Sequence, residues 1–258
     1  MRVRTGGFET EYVTAGSGPW LVLAHCLGGS MDVWQPHQID TFAKRFHVLA
    51  YDVRGHGQSG LPSGDFTVGD LGDDLARLMD ELSVERASVV GLSMGGMLAQ
   101  CLAIAHPDRV EKLVLADTTS FYEGPAVQMW LERAETAERE GPEALLDGTM
   151  ERWFTAPFRQ AHPEVVNRIR ALFKANDRHA YAAAGRALSK FDVRPRLGDI
   201  KAPTLWLCGD QDAACPPDQA RQLAASFHNA RFELIESAAH IANLEQPEAF
   251  NQAVLNFL

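Results

Sequence analysis

In the run Ala87-Ser88-Val89-Val90-Gly91-Leu92-Ser93-Met94-Gly95-Gly96, a short apolar stretch meets a serine bracketed by glycines. A helical pattern of small and apolar residues, Met97 to Ala103, follows directly. A strand that turns sharply into a helix pushes the side chain at the turn out beyond the sheet, which makes Ser93 a candidate nucleophile. Such a turn strains the serine backbone and brings the positions two before and two after it against neighbouring main chain. Gly91 and Gly95 occupy those positions, where only very small residues fit.

Outward from this run, further apolar segments read as strands: Trp20 to Ala24, Phe46 to Tyr51, Val110 to Ala116, Thr204 to Cys208 and Phe232 to Ile235. Val3 to Ala15 alternates about Gly6-Gly7 and reads as a hairpin at a sheet edge. Helical patterns cover Thr67 to Leu82, Gly95 to Ala105, Pro217 to Ser226 and Pro247 to Phe257. Apolar strands alternating with helices predict an α/β fold with a mostly parallel, eight-stranded sheet flanked by helices. The alternation stops between Thr118 and Leu197, where the pattern is helical only: Pro125 to Glu140, Pro142 to Trp153, Pro163 to Lys174 and Arg178 to Phe191. Proline opens several of these segments, as suits a first helical turn. The expected organisation is a core of residues 1–117 and 198–258 with a helical cap, 118–197, inserted between strands.

With 258 residues, 46% of them hydrophobic, the chain can bury one sizeable core. A formal net charge of -10 argues against nucleic acid and against a polybasic membrane contact. Ala87 to Ala105 is nearly long enough to span a bilayer, but its paired glycines, Ser93 and Gln100 favour a strand followed by a helix. Met1 to Gly7 has no apolar leader pattern. The four cysteines have neither paired nor metal-binding spacing, which fits reduced thiols in a cytoplasmic protein. No metal-ligand motif appears, and no G-x-G-x-x-G follows the first strand, so no metal and no other cofactor is expected. The implied partner is a small molecule; nothing in the pattern specifies an oligomeric state.

A serine hydroxyl needs an adjacent base to attack at neutral pH. His240 follows the last strand and precedes the last helix, and Asp212 lies on the loop after the preceding strand. The order Ser93, Asp212, His240 suits this kind of turn. Asp117 also ends a strand and is the alternative acid; Asp210 reads as a turn cap. Negative charge on a tetrahedral intermediate requires backbone donors, and the N–H groups of Met94 and Leu27 are the candidates. Cys26 and Cys215 read as small buried fillers rather than nucleophiles. The region 118–197 supplies the candidate substrate contacts. Trp130, Trp153, Phe154, Phe158 and Phe173 form an apolar wall, and Arg133 or Arg152 would meet a free carboxylate.

Several motifs together resemble the α/β-hydrolase superfamily across nearly the whole chain: the loop Tyr51 to Ser59, the elbow Gly91 to Gly96, and Asp212 with His240. The chain is most similar to the 3-oxoadipate enol-lactonases. That group has Ser-Leu-Gly where this chain has Cys26-Leu27-Gly28, shares the Gly-Leu-Ser-Met-Gly-Gly elbow, and carries a stretch like Arg152-Trp153-Phe154-Thr155. The resemblance implies hydrolysis of a small ester or lactone, 3-oxoadipate enol-lactone to 3-oxoadipate, through an acyl-enzyme on Ser93. It also implies a structural role for the Asp52 to Ser59 turn. Related carboxylesterases, some with perhydrolase or haloperoxidase activity, share most of these motifs. A hydrolase-fold ligand sensor is a third reading. His25-Cys26 departs from the His-Gly or Asn-Ser found in many relatives.

Overall fold

A computed structural model of the chain describes residues 1–61 and 64–258. One eight-stranded sheet runs through it: β1 (Arg2–Thr5), β2 (Phe8–Ala15), β3 (Trp20–Ala24), β4 (His47–Tyr51), β5 (Ala87–Leu92), β6 (Val110–Ala116), β7 (Thr204–Gly209) and β8 (Ala230–Ile235). The spatial order is β1-β2-β4-β3-β5-β6-β7-β8. The pairs β1–β2 and β2–β4 are antiparallel, and the remaining pairs are parallel. The amino-terminal hairpin therefore forms the antiparallel edge that alternation around Gly6-Gly7 predicts.

β5 and β7 are buried at every residue, so both faces of the sheet are covered. This is why their sequences are apolar runs instead of alternating ones. Burying Val89, Val90, Leu205 and Leu207 completely contributes about 1.5–3 kcal/mol each. The covering helices of the core are α1 (Gln38–Phe42), α2 (Val68–Glu81), α3 (Met94–Ala105), α9 (Pro217–Ala224), α10 (Ala242–Glu245) and α11 (Pro247–Phe257). α2 packs on α3, and α1 on α11. Thr67 starts α2 as predicted: its hydroxyl accepts from Asp70 N–H at 3.2 Å, while the Asp70 carboxylate accepts from Thr67 N–H at 2.7 Å.

Ala24 lies beside Gly91, Gly91 beside Leu115, and Ala116 beside Leu207. The carboxyl ends of β3, β5, β6 and β7 are thus level, and their loops leave along one edge, where open parallel sheets bind ligands. Five helices lie between β6 and β7: α4 (Pro125–Glu140), α5 (Leu146–Trp153), α6 (Ala156–Ala161), α7 (Pro163–Lys174) and α8 (Arg178–Ser189). The two ends of this insert are stitched together. Tyr122 N–H donates to Phe191 C=O and Val193 N–H to Ser120 C=O, each at 2.9 Å.

The differences from expectation are local. Ala87 to Ala105 divides into β5 and α3, and no helix among the described residues is long and apolar enough to cross a membrane. The single helix expected over Pro142 to Trp153 is a 3₁₀ turn at Pro142–Leu145 followed by α5. The short α1, α6 and α10 were not foreseen, because so few residues leave no room for a hydrophobic period.

Candidate active site

Ser93 sits between β5 and α3 with φ 54° and ψ -114°, a backbone region costly for a residue with a side chain. The surroundings hold it there. Its carbonyl accepts from Gly96 N–H at 2.8 Å, Met97 N–H at 3.1 Å and the Thr118 hydroxyl at 2.7 Å. A Cβ on Gly95 would lie 2.0 Å from the Ala24 carbonyl oxygen, and one on Gly91 would lie 2.3 Å from that of Gly95. These contacts are main chain to main chain, so no side chain can move aside. Gly95→Ala is expected to lower stability by about 3 kcal/mol or more, read as a reduced midpoint in urea unfolding.

Ser93, His240 and Asp212 come together although far apart in sequence. Asp212 Oδ2 accepts from His240 Nδ1–H at 2.9 Å. The other ring nitrogen, Nε2, is then free to accept from the Ser93 hydroxyl, 2.9 Å away. Asp212 Oδ1 accepts from Ala214 N–H at 2.7 Å and Cys215 N–H at 3.0 Å, which fixes the carboxylate plane. All three residues are buried. Such a chain can move the hydroxyl proton to the imidazole while the carboxylate stabilises the imidazolium.

Asp117 and Asp210 do other things. Asp117 Oδ1 accepts from Gly209 N–H at 2.8 Å, and Oδ2 faces Ala242 N–H at 3.4 Å. Asp117 therefore joins the bases of the two loops that carry Asp212 and His240. Complete burial, with the Asp212 charge nearby, pushes its carboxyl well above the usual range, against the opposing pull of the Gly209 and Ala242 N–H groups. Asp210 Oδ1 accepts from Ala238 N–H at 3.1 Å, a tie between loops. In the Asp52 turn, the carboxylate accepts from Met31 N–H and Gln58 N–H, each at 2.8 Å, a structural arrangement.

The backbone N–H groups of Leu27 and Met94 have no protein acceptor among the described residues. Leu27 lines the same cavity as Ser93 and His240, and Met94 is the first residue of α3. A developing negative charge above Ser93 would meet both free donors and the positive end of that helix. The nearby thiols are poor nucleophiles. Burial pushes Cys26 up to about 12, and burial beside Asp212 pushes Cys215 well above the usual thiol range.

Above Ser93 lies a small, partly open cavity that His240 and Leu27 also line. Trp130, Arg133, Arg152 and Trp153, all singled out in the sequence, line it. Arg133 donates to the Thr149 hydroxyl and the Tyr181 hydroxyl, each at 2.8 Å, and its buried Nε–H has no partner among the described residues. Among the described residues, Arg152 reaches only the Met129 sulfur, at 3.0 Å. Neither guanidinium meets a carboxylate among the described residues.

Part of the expected apolar wall lies elsewhere. Phe154 and Phe158 stack on each other with centroids 5.4 Å apart, outside the cavity. Phe173 sits one layer back, edge-on to Trp153 at 5.8 Å and to Tyr181 at 5.4 Å. Tyr122, Met129, Thr149 and Tyr181 line the cavity and were missed. Helical spacing could have found two of them: Met129 lies four residues before Arg133, and Thr149 three before Arg152.

Residues 19–247 match the family described as alpha/beta hydrolase fold. The chain is 36% identical over 246 residues to 3-oxoadipate enol-lactonase 2 of Acinetobacter baylyi, covering 95% of this chain and 91% of that one. The enol-lactonase from Burkholderia xenovorans LB400 superposes with a TM-score of 0.95 at 38% identity, covering 100% of this chain and 99% of that one. A malate-bound thermophilic esterase from Thermogutta terrifontis superposes at 0.93 with 29% identity, covering 99% and 97%. The elbow, the level strand ends and the helical insert agree with these matches: the chain belongs to the α/β-hydrolase fold family.

Proposed function

We propose that the protein is a serine hydrolase that opens a small carboxylate-bearing lactone, 3-oxoadipate enol-lactone, to 3-oxoadipate. One observation carries this reading. The hydrogen-bonded Ser93–His240–Asp212 chain lies under a partly enclosed pocket in which Arg133 and Arg152 meet no carboxylate among the described residues. Two cations without counter-charge in a partly buried site favour an anionic ligand. The similarity to two enol-lactonases supports the lactone over a plain ester.

In this mechanism His240 takes the Ser93 proton as Oγ attacks the lactone carbonyl. Leu27 N–H and Met94 N–H hold the resulting oxyanion. Collapse breaks the ring C–O bond and expels an enolate, which accepts the proton from His240 and tautomerises to the ketone. An enolate is a better leaving group than an alkoxide, so modest acid assistance suffices. His240 then deprotonates a water that attacks the acyl-enzyme, releasing 3-oxoadipate and restoring Ser93. The region 118–197 acts as the cap that holds the substrate and limits water.

The direct test compares kcat/KM for the enol-lactone with that for short p-nitrophenyl esters; preference for the esters overturns the lactone assignment in favour of a general carboxylesterase. Arg133→Gln is expected to lower kcat/KM for the lactone by about ten- to a hundredfold, mostly through KM. Turnover of an uncharged ester should change little.

A further inference from the structure

Glu245 ends α10 as a buried acid that the hydrolytic mechanism does not use. Its Oε1 accepts from Thr155 N–H at 2.9 Å and from the Thr155 hydroxyl at 2.8 Å. Its Oε2 accepts from Ala239 N–H. Ala239 immediately precedes His240, and Thr155 is the N-cap of α6 in the insert. On the other side of His240, Ile241 N–H donates to the Trp153 carbonyl at 3.1 Å. The backbone on both sides of the imidazole is thus fastened to one segment, Trp153 to Thr155. The Trp153 ring itself lines the cavity, with its centroid 6.4 Å from that of His240.

We infer that Glu245 is a positioning residue that couples the tryptophan wall of the pocket to the catalytic base. With the segment seated, His240 is held within reach of Ser93; with it displaced, the histidine loop loses its ties on both sides. The inference rests on Ser93 and His240 being nucleophile and base, and is independent of which ester or lactone is the substrate. A carboxylate is required because three donors converge on it. A glutamine offers one acceptor oxygen, so it can serve Thr155 or Ala239, and its amide N–H₂ then faces an N–H at the other end.

The test uses Glu245→Gln, Thr155→Val and Thr155→Ser in the full chain. Sites are counted by titration with a small organophosphonate, and turnover is measured on p-nitrophenyl acetate. For Glu245→Gln, kcat per titrated serine should fall about tenfold or more with KM nearly unchanged, as expected when a reacting group is misplaced by a fraction of an ångström. Thr155→Val should show a smaller fall of the same kind, and Thr155→Ser, which keeps the hydroxyl, should retain wild-type kcat. Combining Glu245→Gln with Thr155→Val should add little to Glu245→Gln alone, since both cut one tie. An unchanged kcat per titrated serine, with only a lower melting temperature, overturns the proposal. If Glu245→Gln does not fold, an unchanged kcat in Thr155→Val overturns it equally. A wild-type chain that fails to label at Ser93 overturns the proposal together with the nucleophile assignment beneath it.

Discussion

Ser93→Ala should fold like the wild type, fail to form any organophosphonate adduct by mass spectrometry, and lose about 10⁴-fold or more in kcat. The size of the loss follows from the geometry. The Ser93 hydroxyl is the group that meets His240 Nε2, at 2.9 Å, and the nearby thiols Cys26 and Cys215 are pushed up by burial. Fold retention follows from where the strain sits. The ties to Gly96, Met97 and Thr118 run through the Ser93 carbonyl, and alanine keeps that carbonyl. Activity left above the water rate would come from the free N–H groups of Leu27 and Met94. Retained labelling would move the nucleophile elsewhere.

Asp212→Asn and Asp117→Asn should behave oppositely. An asparagine at 212 can turn its N–H₂ toward His240, which then presents a lone pair at Nδ1 and a proton at Nε2. In that tautomer the ring cannot accept the Ser93 proton, and a loss of about 10⁴-fold in kcat is expected. At 117, the carboxylate makes no hydrogen bond to the imidazole, and an asparagine oxygen can still accept from Gly209 N–H, the shorter of its two contacts. Its kcat should stay within about tenfold of wild type. Steady-state kinetics on one substrate distinguishes the two, and the reverse ranking would assign the acid to Asp117.

The elbow could be read from sequence because everything that makes it is contiguous: an apolar strand, glycines where main chain crowds, and a helix of small residues. The order of Ser93, Asp212 and His240 was equally legible. For the acid, the sequence points to Asp212 with Asp117 as the alternative, because the two follow the adjacent strands β7 and β6 and only side-chain direction separates them; it is Asp212 that meets His240. The proline-led helices α4 and α7 were placed with their observed limits, whereas the short α6 gave no periodic signal. Depth in the insert also escaped the sequence. Trp153 and Phe173 look alike as aromatic residues on helices, and packing alone puts one at the cavity and the other behind it. Glu245 had no local mark at all, because its partner Thr155 lies 90 residues away.

Ser93 and His240 are separated by 147 positions in the chain yet share one hydrogen bond. Forming it requires β7 and β8 to join the sheet across the whole helical insert. Contacts of such span close slowly, since the loop must be ordered before they repay it. During renaturation, helical circular dichroism should therefore recover ahead of catalytic competence, and regained turnover reports that the far side of the sheet has docked.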